Sequence, residues 1–425
     1  MNTKIKFISK GILLFLAMIF SFLLILVVSY MFSNENIRKN AASAIEIFDK
    51  EGDHYSPFYP IESKLNYANI TDNFTDAIIL TVVINKNEEN NILNKSLSNY
   101  YFMENTNPRE SFKSVLNDEN KPSKPYVRYW FGSVAFTRVL LKIFTYEEIR
   151  YINFIIIFML FLISTHLIYK KLDIRYALIF AFSIVFMGII AIPMSIQYTP
   201  VFIITLISSI IILKLYENEK FDKYIYYLFI LIGGITAYFD LLTFPLITLG
   251  IPLIIAFLLK NQNNEQSLKN NIFFILKICI IWSLSYFGTY FAKWVIASIF
   301  LGNNEVKFAF EHFLKRANME DENKFNRLET ISKNFELYFN KFTIIYIIGV
   351  LIYYLKNIIK KNINKKFEYQ KIIPLIIIAI FPYIWYSFLT NHSFMHSWMT
   401  YRIQSITLFS ITAILIGTLK KYEKE

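Results

Sequence analysis

The sequence is poor in charge, in cysteine and in histidine. Of its 425 residues only 18% are charged, whereas a soluble domain usually has roughly 25%. A single cysteine, Cys279, excludes a disulfide scaffold, and five histidines without a His/Cys cluster exclude a His/Cys metal site. Hydrophobic residues make up 55% of the chain. This balance is typical of an integral membrane protein and argues against a fibrous, disordered or extended soluble chain.

Long uncharged runs predict the spans. A helix needs about 20 mostly apolar residues to cross the hydrocarbon core of a bilayer. The first such run follows Lys10 and is too long for a signal-peptide core, so we interpret it as a retained anchor. The segment between Arg175 and Lys214 is broken by Pro193 and Pro200 and is long enough for two spans. With a similar pair in 224–259, ten spans are predicted, at 11–32, 151–169, 176–213 (two), 224–259 (two), 272–300, 340–358, 372–390 and 403–419.

The basic surplus of the chain gives its predicted orientation. The formal net charge is +12, from 44 Lys and Arg against 32 Asp and Glu. Alternate loops, together with both termini, contain 20 of the basic and eight of the acidic residues, which leaves 24 of each elsewhere. Because loops rich in Lys and Arg stay in the cytoplasm, both termini are predicted to be cytoplasmic. The positive charge is therefore explained by topology, and no nucleic-acid partner is predicted.

Two long segments are predicted on the outer side of a single membrane domain, 1–425. The first, 33–148, follows the anchor, and the second, 302–341, lies within the helical bundle 149–425. Counting the apolar stretch 127–145 as a span would invert every later loop. We therefore predict that it is an amphipathic interfacial helix with Arg128, Arg138 and Lys142 in water. The predicted fold is an all-α polytopic bundle with interfacial helices in the first outer segment.

Acidic residues of the first outer segment are candidates for catalysis. Asp72 and Asp76 are four residues apart, so on a helix they share one face. Carboxylates placed in this way can supply a general base, or a metal ligand beside one. Asp72 also has the position of an N-cap, and capping alone would explain an acidic first turn. The acids Glu46, Asp49 and Glu51 are predicted to form a solvated helix face.

Polar residues near the outer ends of the spans are candidates for ligand binding, because charge at membrane depth is unfavourable unless it serves a function or reaches water. Asp240 lies at the turn of the 224–259 pair, and Lys293 lies several residues inside the seventh span. His392, His396 and Arg402 occur within the last outer loop, and the five donors of an arginine suit an anionic group. Each residue also has an explanation without a ligand. Asp240 could cap a helix, Lys293 could extend its side chain to the membrane surface, and the residues of the last outer loop could be polar caps. Gln197 is predicted to be a turn residue.

Nucleotide-binding signals are missing from the sequence. It has no P-loop, no GxGxxG motif after a strand and no cytoplasmic segment large enough to hold a nucleotide sugar. The energy for any reaction must therefore come from a membrane-soluble donor or an ion gradient, if the protein uses energy at all.

The layout resembles that of the C-type (GT-C) integral-membrane glycosyltransferases: one anchor, a large outer segment with acids and interfacial helices, then a bundle with short outer turns. The strings KLNYANITDNFTDAIIL, YVRYWFGSVAFTRVLL, MSIQYTP, AYFDLLTFPLITLG and NHSFMHSWMTYR also look like an uncharacterised family of multispan proteins from Gram-positive bacteria. The first resemblance implies transfer of a sugar, with inversion, from a polyprenyl-phosphate carrier to an acceptor of the cell envelope.

The resemblance to C-type enzymes also implies site residues. It makes Asp72 or Asp76 the base, and Lys293 and Arg402 the ligands of the lipid phosphate. His392, His396, Asp240 and Arg128 complete the set of candidate substrate-binding residues. The family's acid usually lies closer to the end of the first span, where this chain has only Glu35. Because neither Asp72 nor Asp76 forms the Asp-x-Asp pair of metal-using members, neither a metal nor another cofactor is predicted, and a divalent cation stays open as the alternative.

The expected partners are the lipid bilayer, a polyprenyl-phosphate-linked sugar and an envelope glycan, and the expected location is a bacterial plasma membrane. Three alternatives stay open. A polymerase or ligase of lipid-linked oligosaccharides would also need a large outer loop with Arg and His. A transporter or flippase would place charges near the bilayer centre, where this chain has few. The third alternative is a non-catalytic assembly partner.

Overall fold

The regular structure of this chain is helical. A computed structural model describes residues 3–55, 69–86, 91–103, 107–262, 266–317, 325–361 and 368–421. Within those ranges the only β pairing is an isolated antiparallel bridge between Tyr101 and Lys124. The predicted all-α class is therefore confirmed. Parts of the predicted loops 33–148, 260–271, 302–341, 356–371 and 420–425 lie outside the described residues.

The N-terminal part of the chain consists of one long helix followed by short helices. The long helix ends at Tyr30, and Ser33 caps the next one by accepting a hydrogen bond from the backbone N–H of Glu35. Asn91 and Asn107 cap two further helices in the same way. This part of the chain contains α1 (Thr3–Tyr30), α2 (Asn34–Ala41), α3 (Ser43–Glu51), α4 (Asn73–Val83), α5 (Ile92–Ser98), α6 (Pro108–Leu116) and α7 (Gly132–Leu141).

The rest of the chain alternates long helices with broken ones. Proline marks two of the breaks: Pro193 lies in a 3₁₀ turn, and Pro200 lies in the first turn of the next helix, where its missing N–H is not needed. The helices are α8 (Tyr146–Lys171), α9 (Ile174–Val185), α10 (Thr199–Leu215), α11 (Phe221–Phe239), α12 (Ile247–Lys260), α13 (Leu268–Leu301), α14 (Glu305–Arg316), α15 (Arg327–Tyr338), α16 (Lys341–Lys361), α17 (Tyr369–Ala379), α18 (Phe381–Phe388), α19 (Thr390–Met395), α20 (Ser397–Thr400) and α21 (Ser405–Lys421).

Among the described residues, six helical stretches are long and apolar enough to cross a membrane, which indicates a multi-pass membrane protein. They coincide with six of the ten predicted spans. The four predicted spans between 176 and 259 correspond to α9–α12, and the helix α9 has only 12 residues, or about 18 Å at 1.5 Å per residue. The six stretches are Ile5–Tyr30, Tyr146–Lys171, Leu268–Leu301, Lys341–Ile359, Tyr369–Phe388 and Ser397–Gly417.

Helix α11 packs tightly between α1 and α13 because two glycines leave room. A Cβ atom added at Gly233 would lie 2.5 Å from the carbonyl oxygen of Trp282 in α13, and one added at Gly234 would clash with Met18 in α1. Small residues at helix contacts allow such close approach of two backbones. The anchor helix is thereby part of the bundle and does not stand apart from it.

A buried arginine, Arg138, joins helix ends in the N-terminal part of the chain. Arg138 donates to the carbonyl oxygens of Ser29, Phe32 and Val83 and to Oδ1 of Asn34, so it caps the ends of α1 and α4 together. The prediction that Arg138 stays in water is wrong, because its side chain is 1% exposed and its donors are used by carbonyls that end helices. Helix α7 is correspondingly packed against α1 and α4, and only Phe136 and Val139 of its apolar residues are largely exposed.

A second correction concerns Glu51, which was predicted to lie on a solvated helix face. Its carboxylate pairs with Nη1 of Arg150 at 2.9 Å, and the two side chains are 11% and 9% exposed. Arg150 also donates to Asn73 Oδ1 at 2.7 Å, and Asn73 donates to Glu51 Oε2 at 3.0 Å. Each charge of this group has partners, which is the usual condition for burying an ion pair.

Candidate functional site

Two acids at the start of α4 meet the turn between α9 and α10. Asp72 is the N-cap, because Oδ1 accepts the backbone N–H of Thr75 at 3.0 Å. Its Oδ2 accepts from the Thr75 hydroxyl at 3.0 Å and from Nε2 of Gln197. The Asp72 N–H donates to Ser195 Oγ at 2.9 Å. The turn residue Gln197 is therefore also a direct partner of the candidate base.

Asp76 lies one helical turn further on and is fully enclosed. Both of its oxygens accept the backbone N–H of Ile196 at 2.9 Å, and Oδ2 also accepts from the Tyr146 hydroxyl at 2.7 Å. Burial raises the pKa of Asp76 to about 7, although these hydrogen bonds oppose the shift. Asp76 thus fastens α4 to the bundle, and its carboxylate does not line either of the two cavities described below.

Asp72 lines a cavity of about 320 Å³, called here the polar cavity. Burial raises the pKa of Asp72 above its ordinary value, while His54, Thr75 and Arg402 oppose that shift. The carboxylate of Asp72 is thus more basic than a solvated one, which suits proton abstraction. The lining residues are His54, Asp72, Phe74, Thr75, Ile78, Tyr126, Tyr129, Phe131, Gln197, Leu241, Arg316, His392, His396, Trp398 and Met399.

Arg316 and two histidines also form part of the wall of the polar cavity. Nη1 of Arg316 lies 2.7 Å from Nδ1 of His392 and 3.1 Å from Nε2 of His396. Burial lowers the pKa of His392 well below its ordinary value, with His396 and Arg316 adding to the shift. The pKa of His396 falls to about 3, from burial first and then from Arg316 and His54. Both imidazoles are therefore neutral near pH 7.

Asp240 shapes the turn that supports His392. Its Oδ1 accepts from the backbone N–H and the hydroxyl of Thr243 at 2.8 and 2.7 Å. This turn holds Leu242 at a φ of 64°, which is rare for a large side chain. The carbonyl of Leu242 lies 2.6 Å from Nε2 of His392. Asp240 is 1% exposed and also accepts a hydrogen bond from the Tyr286 hydroxyl. It therefore stabilises the conformation of this loop.

A second cavity, of about 350 Å³ and called here the apolar cavity, lies beside the first. Its aromatic lining suits a hydrocarbon chain. Arg128 lines it with its guanidinium 4.3 Å from the ring centre of Tyr126, to whose hydroxyl it donates at 2.9 Å. The lining residues are Arg128, Tyr129, Leu242, Tyr286, Phe287, Tyr290, Phe291, Trp294, Val306, Ala309, Phe310, His312, Phe313 and Arg316.

Tyr129 and Arg316 line both cavities and form the boundary between them. Of the predicted site residues, Asp72, His392 and His396 meet in the polar cavity, and Arg128 is in the apolar one. The others line neither cavity. Among the described residues, no group of three or more His, Cys, Asp and Glu side chains is arranged to hold a metal ion.

Lys293 and Arg402 are buried and bonded to backbone. Nζ of Lys293 donates to the carbonyl of Leu97 at the end of α5 at 2.7 Å and lies 5.6 Å from the ring centre of Trp130. Arg402 donates to the carbonyls of Met187 and Trp398, both at 2.9 Å. Neither side chain lines either cavity, although Arg402 is close enough to Asp72 to influence its carboxyl group electrostatically.

Sequence reasoning did not single out His54 or Arg316. His54 follows the acidic stretch of α3 and is placed by contact with the Thr71 carbonyl and the ring of Trp398, 5.2 Å away. Arg316 ends α14, among several other basic residues. A signal was present in that helix, since a cation at the end of an apolar-faced helix is placed near the membrane surface.

Comparisons with protein-family models, with curated proteins and with solved structures found no match to this chain. Its function must therefore be inferred from the geometry of the two cavities.

Proposed function

We propose that this protein is a membrane glycosyltransferase of the C-type that moves a sugar from a polyprenyl-phosphate carrier to a glycan or glycolipid acceptor of the cell envelope. The observation that carries the proposal is the boundary at Tyr129 and Arg316, where a polar cavity with a buried carboxylate adjoins an apolar cavity. A lipid-linked sugar has the same order of parts: a hydrocarbon chain, an anionic phosphate and a polar sugar.

The proposed assignment follows that order. The first isoprene units occupy the apolar cavity, the phosphate lies against Arg316, and the sugar and the acceptor hydroxyl occupy the polar cavity. Asp72 takes the proton of the acceptor hydroxyl while the oxygen of that hydroxyl bonds to the anomeric carbon of the sugar. The bond from that carbon to the phosphate oxygen breaks with inversion, and the carrier leaves as polyprenyl phosphate. A preplaced guanidinium stabilises the charge that develops on the leaving phosphate.

The topology proposed with this function has ten spans, with α9–α10 and α11–α12 as two hairpins and both cavities facing outwards. Charge sorting supports it, because the basic surplus lies in the loops assigned to the cytoplasm. Single cysteines introduced into a Cys279→Ser background test the orientation. A membrane-impermeant thiol reagent added to intact cells should label Glu311→Cys and leave Glu219→Cys and Lys269→Cys unlabelled. The reverse labelling pattern would show that the spans have the opposite orientation.

The function is tested with purified protein and a panel of radiolabelled polyprenyl-phosphate sugars. At least one donor should release free polyprenyl phosphate when envelope glycan is supplied. Asp72→Asn should reduce that release by at least about 100-fold, the usual contribution of a general base. Asp173→Asn is the matched control, because Asp173 caps α9 through the backbone N–H groups of Arg175 and Tyr176 and asparagine also caps helices.

Other outcomes would favour the alternatives. Consumption of lipid-linked oligosaccharides, with every monosaccharide donor left intact, would replace the proposal by a polymerase or ligase. Movement of a lipid-linked sugar between leaflets of proteoliposomes without its release would indicate a flippase. Full turnover in Asp72→Asn would remove Asp72 as the base.

A further inference from the structure

The contact between Arg316 and the two histidines defines the protonation of both rings. A guanidinium is always charged and can only donate hydrogen bonds. Nδ1 of His392 and Nε2 of His396 must therefore accept from it, at 2.7 and 3.1 Å. The proton of His392 is consequently on Nε2, where it is donated to the Leu242 carbonyl at 2.6 Å. Both imidazoles are thus neutral acceptors in this arrangement.

Arg316 combines neutral partners with a place at both cavities, whereas Arg138 and Arg402, which also have only neutral partners, line neither cavity. Other buried arginines are paired with carboxylates. Arg150 is paired with Glu51, and Arg38 is paired with Asp118 at 2.8 Å. In the described part of the chain, Arg316 has no carboxylate within ion-pair distance. Histidine nitrogens satisfy its hydrogen-bonding geometry without cancelling its charge. A partly buried and uncompensated cation favours an anionic ligand.

The position of Arg316 also leaves one side of the guanidinium available. The two histidines contact Nη1, whereas the side chain as a whole lines both cavities. Asn334 holds the histidine-bearing segment by donating to the Ser393 carbonyl at 3.0 Å and accepting from the Thr400 hydroxyl at 2.7 Å. Asn334 therefore holds the segment that carries the histidines, and the histidines hold Arg316.

We infer that His392 and His396 are positioning residues that hold Arg316 at the boundary of the two cavities through neutral acceptors, so that its full positive charge is available to one phosphate group of an isoprenoid ligand. This inference rests on the proposed function for the isoprenoid nature of the ligand. It differs from the expectation that the histidines bind the phosphate themselves. Their contribution is the placement and the charge of Arg316.

A pair of variants with nearly equal shape tests the inference. His396→Gln keeps a neutral acceptor for Arg316, whereas His396→Glu supplies an acceptor of similar reach that carries a negative charge. The probe is geranylgeranyl phosphate, and its affinity for the purified protein in detergent is measured by titration calorimetry. His396→Gln should stay within about threefold of the natural protein, and His396→Glu should bind at least about tenfold more weakly.

Geranylgeraniol, which lacks the phosphate, is the matched control ligand, and its affinity should be equal in both variants. If His396→Glu binds geranylgeranyl phosphate as tightly as His396→Gln does, the inference is overturned. If His396→Glu does not fold, Arg316→Gln replaces it, because it removes the charge and keeps amide donors. Arg316→Gln should lose the same affinity, and an unchanged affinity there would also overturn the inference.

This binding measurement is independent of sugar transfer. If no donor is turned over but the glutamine and glutamate variants differ as expected, the proposed function fails and the positioning role of the histidines stands. If sugar is transferred and the two variants bind the phosphate equally, the function stands and the positioning role fails.

Discussion

The two acids at the start of α4 belong to regions of opposite character. Asp76 is part of a packed network with Glu51, Asn73, Tyr146 and Arg150, in which each charged group has a partner within the protein. Asp72, one turn away, faces the polar cavity. The same residue type at nearly the same place therefore has two different roles, and the free space beside the carboxylate decides between them.

The arginines of the two regions differ in the same way. Arg150 in the packed network is neutralised by Glu51, whereas Arg316 in the polar cavity is held by neutral imidazoles. A buried charge that is paired within the protein is compensated, and removing one member of the pair is destabilising. A group that is held firmly but left with uncompensated charge next to a cavity is suited to an external ligand. The comparison predicts that damage to the packed network lowers stability and that damage to the polar cavity lowers activity.

The largest expected effect is on stability, from Arg150→Met. It leaves Glu51 in a mostly buried position without its cation, which typically destabilises a protein by roughly 3–5 kcal/mol. Thermal unfolding in detergent should show a markedly lower Tm. The matched control is Arg109→Met, because Arg109 pairs with Asp53 at 2.6 Å but the two side chains are 22% and 43% exposed. That loss should be about 1 kcal/mol or less, and equal losses in both variants would contradict the comparison.

The next effect is the pH dependence that Asp76 gives to stability. Burial raises its pKa from the ordinary 3.8 to about 7, so between these values the folded state binds more protons than the unfolded state. The contribution of Asp76 to the free energy of unfolding is fully present below the pKa of the unfolded state, 3.8. It is lost as the pH rises through the pKa of the folded state. Between about pH 5 and about pH 8 the loss amounts to about 3 kcal/mol.

Asp76→Asn should remove that part of the pH dependence and keep most of the sugar transfer, because its carboxylate does not line a cavity. The measurement is unfolding of both proteins across the pH range, with turnover assayed in parallel. A variant with the pH slope of the natural protein would show that Asp76 is ionised throughout. Loss of turnover equal to that of Asp72→Asn would place both acids in the reaction.

Much of the fold follows from local patterns, and much of the site does not. Uncharged runs predicted the six long apolar stretches because the period and length of apolar residues determine such helices. Arg138 was placed wrongly because a hydropathy pattern shows that an arginine lies on an apolar helix but not that the ends of α1 and α4 meet beside it. Its burial depends on residues 55 to 109 positions away.

The candidate site shows the same limit. Asp72, His392 and His396 were recognisable as polar residues beside apolar runs, and the structure brings them to one cavity. Arg316 and His54 come from separate segments of the chain. The apolar face of α14 indicates only that Arg316 is near the membrane surface, and nothing around His54 in the sequence separates it from ordinary surface residues. The different roles of Asp72 and Asp76 could not be predicted from the sequence either, because both residues satisfy the same helical spacing. Only in the structure does the turn at Ile196 enclose Asp76.

A smaller effect is expected from Gln197→Glu, which acts on the polar cavity through Asp72. The substitution replaces the donor to Asp72 Oδ2 by a second carboxylate. Repulsion raises the pKa of Asp72, so the acid limb of the pH profile of kcat/KM moves to higher pH and turnover near neutrality falls by about tenfold. Ser195→Ala is the control, because Ser195 bonds the backbone of Asp72 and not its carboxylate. An unshifted profile in Gln197→Glu would show that Asp72 is not the titrating base.

The smallest expected effect is that of Tyr146→Phe, and it tests whether the packed network is purely structural. The change removes one of the donors to Asp76 and leaves the two contacts from the Ile196 N–H. The free energy of unfolding should fall by about 1 kcal/mol, the usual net value of one hydrogen bond. Turnover and its pH profile should stay unchanged, since no atom of this group lines the polar cavity. If Tyr146→Phe instead loses turnover at unchanged stability, the hydroxyl acts on the chemistry through Asp76, and the two regions form a single functional unit.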